Sequence, residues 1–399
     1  MDQAAWAARR KSESALRRLI AAVLFGLACA SPGMPPGGPP DVTAPKIIAI
    51  IPDSGSVSVK PKEVIFRFDE VVSERPQSAT TLADLFLISP RDGVPNVSWH
   101  RDAIAVKPDH GWRPNTTYSV IMMRGLADIR GNVRNTGVTT FFSTGPTIPP
   151  TRIAGQVFDW VTGAPAAGAL IESFAVPADS IHPYVALVDT GGAFALEHAP
   201  PARYTVRAYL DRNKNMSIDP SEPWDSTSVN LADSARIELL LFVHDTAPPR
   251  LREVAAADSV TLRLTFDKPV DPAQTLAAAN FAIVGPDSAP VPIASAGREP
   301  KDTSGRTVAP PPTRGGANPR VDTTAKPKPV MSRPPATSAA IIKLQRPLTP
   351  KLVYRVRAIG IRGLLGVTGN SERPFTAPTP PPPPKPAVVP PKPPPSTSK

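Results

Sequence analysis

Short alternations of apolar and polar residues dominate this chain. Over Glu63–Asp69, Val64, Phe66 and Phe68 fall on one side and Glu63, Arg67 and Asp69 on the other, with only Ile65 breaking the order. A period of two marks a strand with one buried face. Lys46–Ile51, Leu85–Ile88, Val97–Trp99, Ala103–Val106, Thr116–Met122 and Val138–Ser143 are further short apolar runs divided by turn residues. Seven such strands in about 100 residues predict an antiparallel sandwich.

The next stretch, 151–243, has its own pattern. Gly155–Ile171 reads as a strand, a Thr-Gly turn and a second strand. Asp189–Leu196 is another turn and strand, and Pro200–Leu210 places Tyr204, Val206 and Ala208 on one face. From residue 245 the first pattern returns. Asp245-Thr-Ala-Pro echoes Asp41-Val-Thr-Ala-Pro, Leu262–Val270 echoes Val64–Val72, and Pro347–Val356 echoes the strand around Tyr118. The closing Gly366–Asn370 turn and the strand after it repeat as well, which is the mark of a divergent internal copy.

Residues 45–145 also carry a family resemblance. Ala-Pro-Lys-Ile, Ile-Phe-Arg-Phe-Asp-Glu-Val-Val, Arg-Pro-Asn-Thr-Thr-Tyr-Ser-Val, Asp128-Ile-Arg-Gly131-Asn132 and Phe-Phe-Ser-Thr-Gly follow one another in order. This series resembles the bacterial Ig-like domain of the SbsA S-layer type. The resemblance implies Phe66 and Phe68 in the core. Tyr118 can bury its ring at a strand corner with its hydroxyl on a backbone partner, and Gly131-Asn132 suits a turn that needs positive φ. The middle stretch resembles the regulatory, transthyretin-like sandwich found beside carboxypeptidases, which implies a module without catalytic zinc ligands. The expected fold is therefore all-β: three tandem antiparallel sandwiches at 45–145, 151–243 and 245–377.

Composition agrees, because 54 of 399 residues are proline and proline is poorly tolerated inside helices and central strands. It also adds unfolded segments. Residues 29–44 read as a Pro/Gly-rich linker, 297–337 as a disordered insertion in the third sandwich, and 378–399 as a semi-rigid Pro-rich tail.

A net charge of +11 invites a nucleic-acid reading, but its location removes it. The whole excess lies in residues 1–28, 297–337 and 378–399, so the sandwiches are net neutral, and a folded nucleic-acid binder concentrates basic charge on its domain surface.

At the N-terminus, Arg9, Arg10, Lys11, Arg17 and Arg18 precede the apolar run Leu19–Ala28, and then comes Cys29, the only cysteine. The run is too short to span a bilayer. Residues 1–28 resemble a bacterial lipoprotein signal peptide. The resemblance implies lipidation at Cys29, a membrane partner through that lipid and, with Ala30 following, location at the outer membrane. No thiol then remains for a disulfide or for catalysis.

One loop has the order of a metal site. Asp211, Asn213, Asn215, Ser217, Asp219 and Glu222 stand at positions 1, 3, 5, 7, 9 and 12, with Ile218 at position 8. That is the spacing of an EF-hand-type calcium loop, in which position 7 supplies a backbone carbonyl. Met216 occupies position 6, where the turn ordinarily takes glycine. The other reading is an ion-free polar turn between strands. No other cofactor is indicated.

His100, His110, His182, His198 and His244 have no metal-ligand spacing. Adjacent Asp69 and Glu70 point to opposite faces of a strand and form no acid/base pair. Trp99, Trp112, Trp160 and Trp224 are spread over two modules, which favours packing over a sugar platform. No nucleophile elbow, zinc-protease helix or phosphate loop occurs. The expected function is that of a non-enzymatic, lipid-anchored envelope spacer, scaffold or surface-binding module with envelope proteins or glycans as partners. The alternative is a calcium-dependent or glycan-binding adhesin.

Overall fold

A computed structural model describes residues 40–299 and 330–379. Residues 1–39, with Cys29, and residues 380–399 of the Pro-rich tail lie outside the described residues. Strand pairing falls into three groups, and among the described residues the only helical turns are two short 3-10 turns. No described helix is long and apolar enough to cross a membrane.

The first group contains β1 (Ile47–Ile51), β2 (Val64–Phe68), β3 (Phe86–Ser89), β4 (Asn96–Trp99), β5 (Ala103–Lys107), β6 (Thr117–Met122) and β7 (Val138–Ser143). They form sheets of order β1-β2-β5-β4 and β3-β6-β7. The alternation read from the sequence is realised in the packing: Val64, Phe66 and Phe68 are buried between the sheets with Ile104, Val106, Tyr118, Val120 and Phe142. Tyr118 accepts the Arg113 N–H at 2.7 Å through its buried hydroxyl.

The third group repeats this plan. It contains β15 (Leu251–Ala256), β16 (Thr261–Val270), β17 (Phe281–Val284), β18 (Ile293–Arg298), β19 (Thr337–Leu344), β20 (Val353–Arg362) and β21 (Thr368–Thr376). Its sheets run β15-β16-β19-β18 and β17-β20-β21, strand for strand the order of the first group. The details repeat too. Tyr354 accepts the Thr349 N–H at 2.9 Å, as Tyr118 does from Arg113. Asp267 accepts the Arg250 N–H at 2.7 Å, and Asp69 accepts that of Lys46 at 2.8 Å.

The edges of the expected insertion 297–337 are structured. Arg298 ends β18 and donates to the carbonyls of Asp271, Pro272 and Gln274, while Glu299 pairs with Arg263. Met331 and Ala336 join an apolar cluster with Trp160. Composition hid these residues because they are held by long-range partners rather than by a periodic face. The centre of the segment lies outside the described residues.

The middle group contains β8 (Arg152–Asp159), β9 (Leu170–Ala175), β10 (Asp179–Leu187), β11 (Ala193–Glu197), β12 (Ala202–Tyr209), β13 (Pro223–Leu231) and β14 (Ser234–Val243). Pairing runs continuously, β10-β9-β12-β13-β14-β8-β11. β13 and β14 share only Pro223↔Val243 and Trp224↔Phe242, so β14 turns away there and the two halves face each other. Ile153, Val157, Phe194, Tyr204, Val206, Leu239 and Leu241 fill the space between them. This module is not wholly antiparallel, because β14 pairs with β8 in parallel over Ser234–Leu241. The two strands are the first and last of the module, and a connection that long permits parallel pairing.

Both junctions between groups are packed. At the first, Val185 N–H donates to Ser89 Oγ at 2.9 Å, Arg91 N–H to the Pro183 carbonyl at 2.8 Å and Arg113 to Asp179 at 2.8 Å. Leu87, Ile121 and Met123 meet Leu170, Val185, Leu187 and Tyr209 in an apolar cluster. Behind it, fully buried Glu172 of β9 binds Arg91 at 2.5 Å and also Arg207. Tyr209 donates its hydroxyl to Glu172 at 3.1 Å; burial and the Glu172 charge push the phenol pKa up and keep that proton in place. At the second junction, Trp160 Nε1–H donates to the Pro334 carbonyl at 3.1 Å and Ala336 N–H to the Trp160 carbonyl at 2.9 Å.

Candidate functional site

The Asp211–Glu222 loop joins β12 to β13. Its fold follows from short polar side chains competing for backbone donors. Asp211 accepts the N–H groups of Asn215 at 3.1 Å and Met216 at 2.8 Å. Asn213 Oδ1 accepts from Asn215 N–H at 3.1 Å, and Asn215 Oδ1 from Ser217 N–H at 2.8 Å. The amides of Asn213 and Asn215 both donate to Asp219 Oδ2, at 2.6 and 3.1 Å. Positions 3 and 5 are thus tied through their amides to position 9, and position 1 holds the backbone of positions 5 and 6.

Glu222 is placed differently. It is buried, and its carboxylate closes the loop by accepting Arg212 N–H at 2.7 Å and Asp219 N–H at 3.2 Å. Ser217 sits on the turn held by Asn215. Hard cations of the calcium class take six to eight oxygens, carboxylate, amide and carbonyl alike. The donor set of Asp211, Asn213, Asn215 and Asp219, with Glu222 at the loop's end, has that chemistry.

Position 6 departs from the usual glycine, and the structure gives the reason. Met216 takes φ +56, the left-handed region that a side chain disfavours. Its side chain packs, with Ile218, against the apolar cluster at the first junction. Packing offsets a conformational cost that glycine would avoid.

Sequence reading missed a second polar cluster. Asp41, Glu70 and Asp128 bring carboxylate oxygens within 4.8 Å of one another. Asp69 and Glu70 do diverge, Asp69 to Lys46 N–H and Glu70 toward Asp128. Burial, then the charges of Asp128, Asp41 and Asp69, push the Glu70 carboxyl above its ordinary value. Burial pushes Asp128 up, but N–H donors from Asn132, Arg130 and Gly131 outweigh it and hold the group below the usual range. The signal for this cluster lay in the repeat. The third module has Lys268 where the first has Glu70, and Lys268 pairs with Asp245 at 2.7 Å. A cation built into one copy faces a carboxylate excess in the other.

The tryptophans are packing residues. Trp99 Nε1–H bonds the Val72 carbonyl, Trp112 packs edge-on against Tyr118 and Phe142, and Trp224 stacks on His244 at 3.8 Å. His110 contacts Asp92 and His182 contacts Asp179. His198 sits on the Pro149 carbonyl.

Residues 41–144 match the family model of the bacterial Ig-like domain. The sandwich at β1–β7 is an Ig-like domain, as the resemblance of 45–145 implied. A comparison with curated proteins finds no match. Among solved structures, an L,D-transpeptidase from Mycobacterium smegmatis is 17% identical, covering 50% of this chain and 77% of that one, with a TM-score of 0.19. The N-terminal part of the bacterial S-layer protein SbsC is 15% identical over 48% of this chain and 44% of its own, with a TM-score of 0.20. BcpA, the major pilin subunit of Bacillus cereus, is 9% identical over 50% and 71%, with a TM-score of 0.19. At such TM-scores no common arrangement of the whole molecules follows.

Proposed function

We propose that the protein is a non-enzymatic spacer or scaffold of the cell envelope, anchored by lipid on Cys29 at the outer membrane. Its partners would be other envelope proteins or glycans, reached through the modules rather than through a catalytic cleft. The observation that supports this reading best is the first junction. A spacer must hold successive modules at a fixed angle, and here a buried carboxylate of the middle module is paired with an arginine of the module before it. Such a pair specifies a geometry even where it adds little net stability. The resemblance of the middle module to a regulatory sandwich fits the same role.

The anchor is tested by fractionation. The native chain should stay in the membrane fraction through salt washing, since stable anchoring needs more than one acyl chain, and Cys29→Ser should appear in the soluble fraction. A Cys29→Ser chain that stays membrane-bound with normal processing overturns the lipid anchor. Crosslinking in intact cells then identifies the partner.

The second reading, a calcium-dependent or glycan-binding adhesin, is favoured by one specific observation: in the Asp211–Glu222 loop positions 3 and 5 meet position 9, position 1 holds the backbone of position 6, and position 6 takes the left-handed turn. Calcium titration by calorimetry tests it, with Asp211→Ala as the control that should abolish the heat.

A further inference from the structure

The second junction is made differently from the first. Among the described residues no strand of the middle module pairs with a strand of the third. Contact comes instead from a short stretch outside any strand, residues 331–336, which leads from the insertion of the third module into β19. Its side chains divide by direction: Met331, Pro335 and Ala336 are covered, whereas Ser332, Arg333 and Pro334 stay exposed.

The middle module meets this strap group by group. Met331 and Ala336 enter the apolar cluster of Trp160 and Phe242, whose rings stand edge to face at 5.4 Å. Met331 and Pro335 close over the Gly163 turn, each 3.7 Å from the place a Cβ would take there. Trp160 Nε1–H donates to the Pro334 carbonyl at 3.1 Å, and the Trp160 carbonyl accepts the Ala336 N–H at 2.9 Å. Glu238 of β14 accepts the Ser332 N–H at 3.0 Å and the Ser332 hydroxyl as well. Burial pushes the Asp225 carboxyl of β13 above its ordinary value, and the Arg333 charge is one of the influences that draw it back. Six consecutive residues are thus held through main chain and side chains, as a domain holds a peptide. Aromatic surfaces suit proline-containing peptides because the fixed φ of proline leaves little entropy to lose. A tryptophan adds an N–H donor to its apolar face.

We propose that the face formed by Trp160 and Phe242 is a peptide-recognition site, and that residues 331–336 are its ligand, supplied in cis to clip the third module to the middle one. The ligand class is a short proline-containing peptide with an apolar residue four positions before its second proline and a hydroxyl between them. Such a clip differs from a shared core because its ligand can leave. A peptide of the same chemistry competes for the face, against a tethered ligand whose effective concentration is in the millimolar range. Neither the lipid anchor nor the calcium reading enters this inference.

The test uses the full chain carrying Cys29→Ser. A strap variant with Met331→Gly, Pro334→Gly and Pro335→Gly together empties the face and keeps the chain length. The probe is a dye-labelled synthetic peptide of residues 330–337, followed by fluorescence anisotropy. The strap variant should bind it, and the chain with its own strap should bind it at least about tenfold more weakly, because the tethered ligand competes. In the strap variant, Trp160→Phe keeps a ring and removes the indole donor, so binding should weaken about fivefold, the worth of one hydrogen bond. Glu238→Ala, at the surface, should weaken it likewise if the tryptophan variant folds poorly. Spin labels at Ser228→Cys and Ser295→Cys, both exposed and on the middle and third modules, report on the clip. Their distance distribution should broaden about twofold in the strap variant, because a glycine-containing strap is a flexible linker. No binding to the strap variant at about 1 mM peptide, the effective concentration at which the clip itself acts, overturns the recognition site. Equal binding with and without the native strap overturns it too, since the peptide then lands elsewhere. Binding that Trp160→Phe and Glu238→Ala both leave unchanged overturns the assignment of the face. A distance distribution that the strap variant leaves unchanged overturns the clip.

Discussion

Arg91 of the Ig-like module lies 2.5 Å from the carboxylate of Glu172 in the middle module, and that carboxylate has no exposed surface. Arg207 of β12 holds its other oxygen. The middle module thus contributes one arginine and the buried acid, and the Ig-like module completes the charge balance. Separating the modules would leave Glu172 with Arg207 and the Tyr209 hydroxyl and without Arg91.

Breaking this arrangement should be costly. Arg91→Ala removes one partner of a buried charge, a class of change that costs about 3–5 kcal/mol. Because Arg91 keeps some exposure, the lower end is expected. Denaturant unfolding should show the first two modules melting together in the native chain and as separate transitions in Arg91→Ala.

Calcium should stabilise the middle module by mass action. For a dissociation constant of about 10⁻⁴–10⁻³ M, about 10 mM calcium contributes roughly 1.4–2.7 kcal/mol. Scanning calorimetry should show a Tm that climbs through the millimolar range, and Asp211→Ala should remove the climb. Met216→Gly should bind calcium more tightly, since glycine reaches φ +56 freely, yet melt lower without calcium because the apolar contact at the joint is lost.

The two tyrosine corners should respond alike. Tyr118→Phe removes the acceptor of the Arg113 N–H and Tyr354→Phe that of the Thr349 N–H, both in partly buried bonds; water can reach the freed donors, so each change should cost about the net worth of one hydrogen bond, about 0.5–1.5 kcal/mol. The sites lie in different modules, so their effects should add. A double variant measured by chemical denaturation checks both magnitude and additivity.

The pH dependence should carry two opposite signatures. Glu70 is raised above its unfolded value, so the folded state binds the extra proton and stability falls as pH rises through the folded pKa. Glu70→Gln should therefore melt higher than the native chain at about pH 7, with the difference gone near pH 4, below the unfolded value of about 4.3. Asp179 is the reverse. Burial pushes it up, but N–H donors from His182 and Ile181 and the Arg113 guanidinium hold it at about 2. Its stabilisation is present above the unfolded value near 3.9 and is lost as pH falls through about 2. Asp179→Asn should destabilise the first joint at neutral pH and become neutral in strong acid.

The alternation Val64, Phe66, Phe68 determined a strand and its buried face without help from the rest of the chain. A residue two positions along a strand returns to the same face whatever the fold. The Tyr118 corner, its echo at Tyr354 and the order of oxygen side chains from Asp211 to Glu222 were likewise local, each carried by fixed spacing. The tertiary structure alone decided which distant residues meet. Arg91 and Glu172 are 81 positions apart and in different modules, so no periodicity could join them. Met216 read as a defect in a turn until its side chain was found at the junction. Asp41, Glu70 and Asp128 became one cluster only when the linker, the end of β2 and a late turn came together. Local chemistry fixes elements because backbone geometry is short-ranged; charge balance and domain joints depend on long-range contacts that only the packed chain creates.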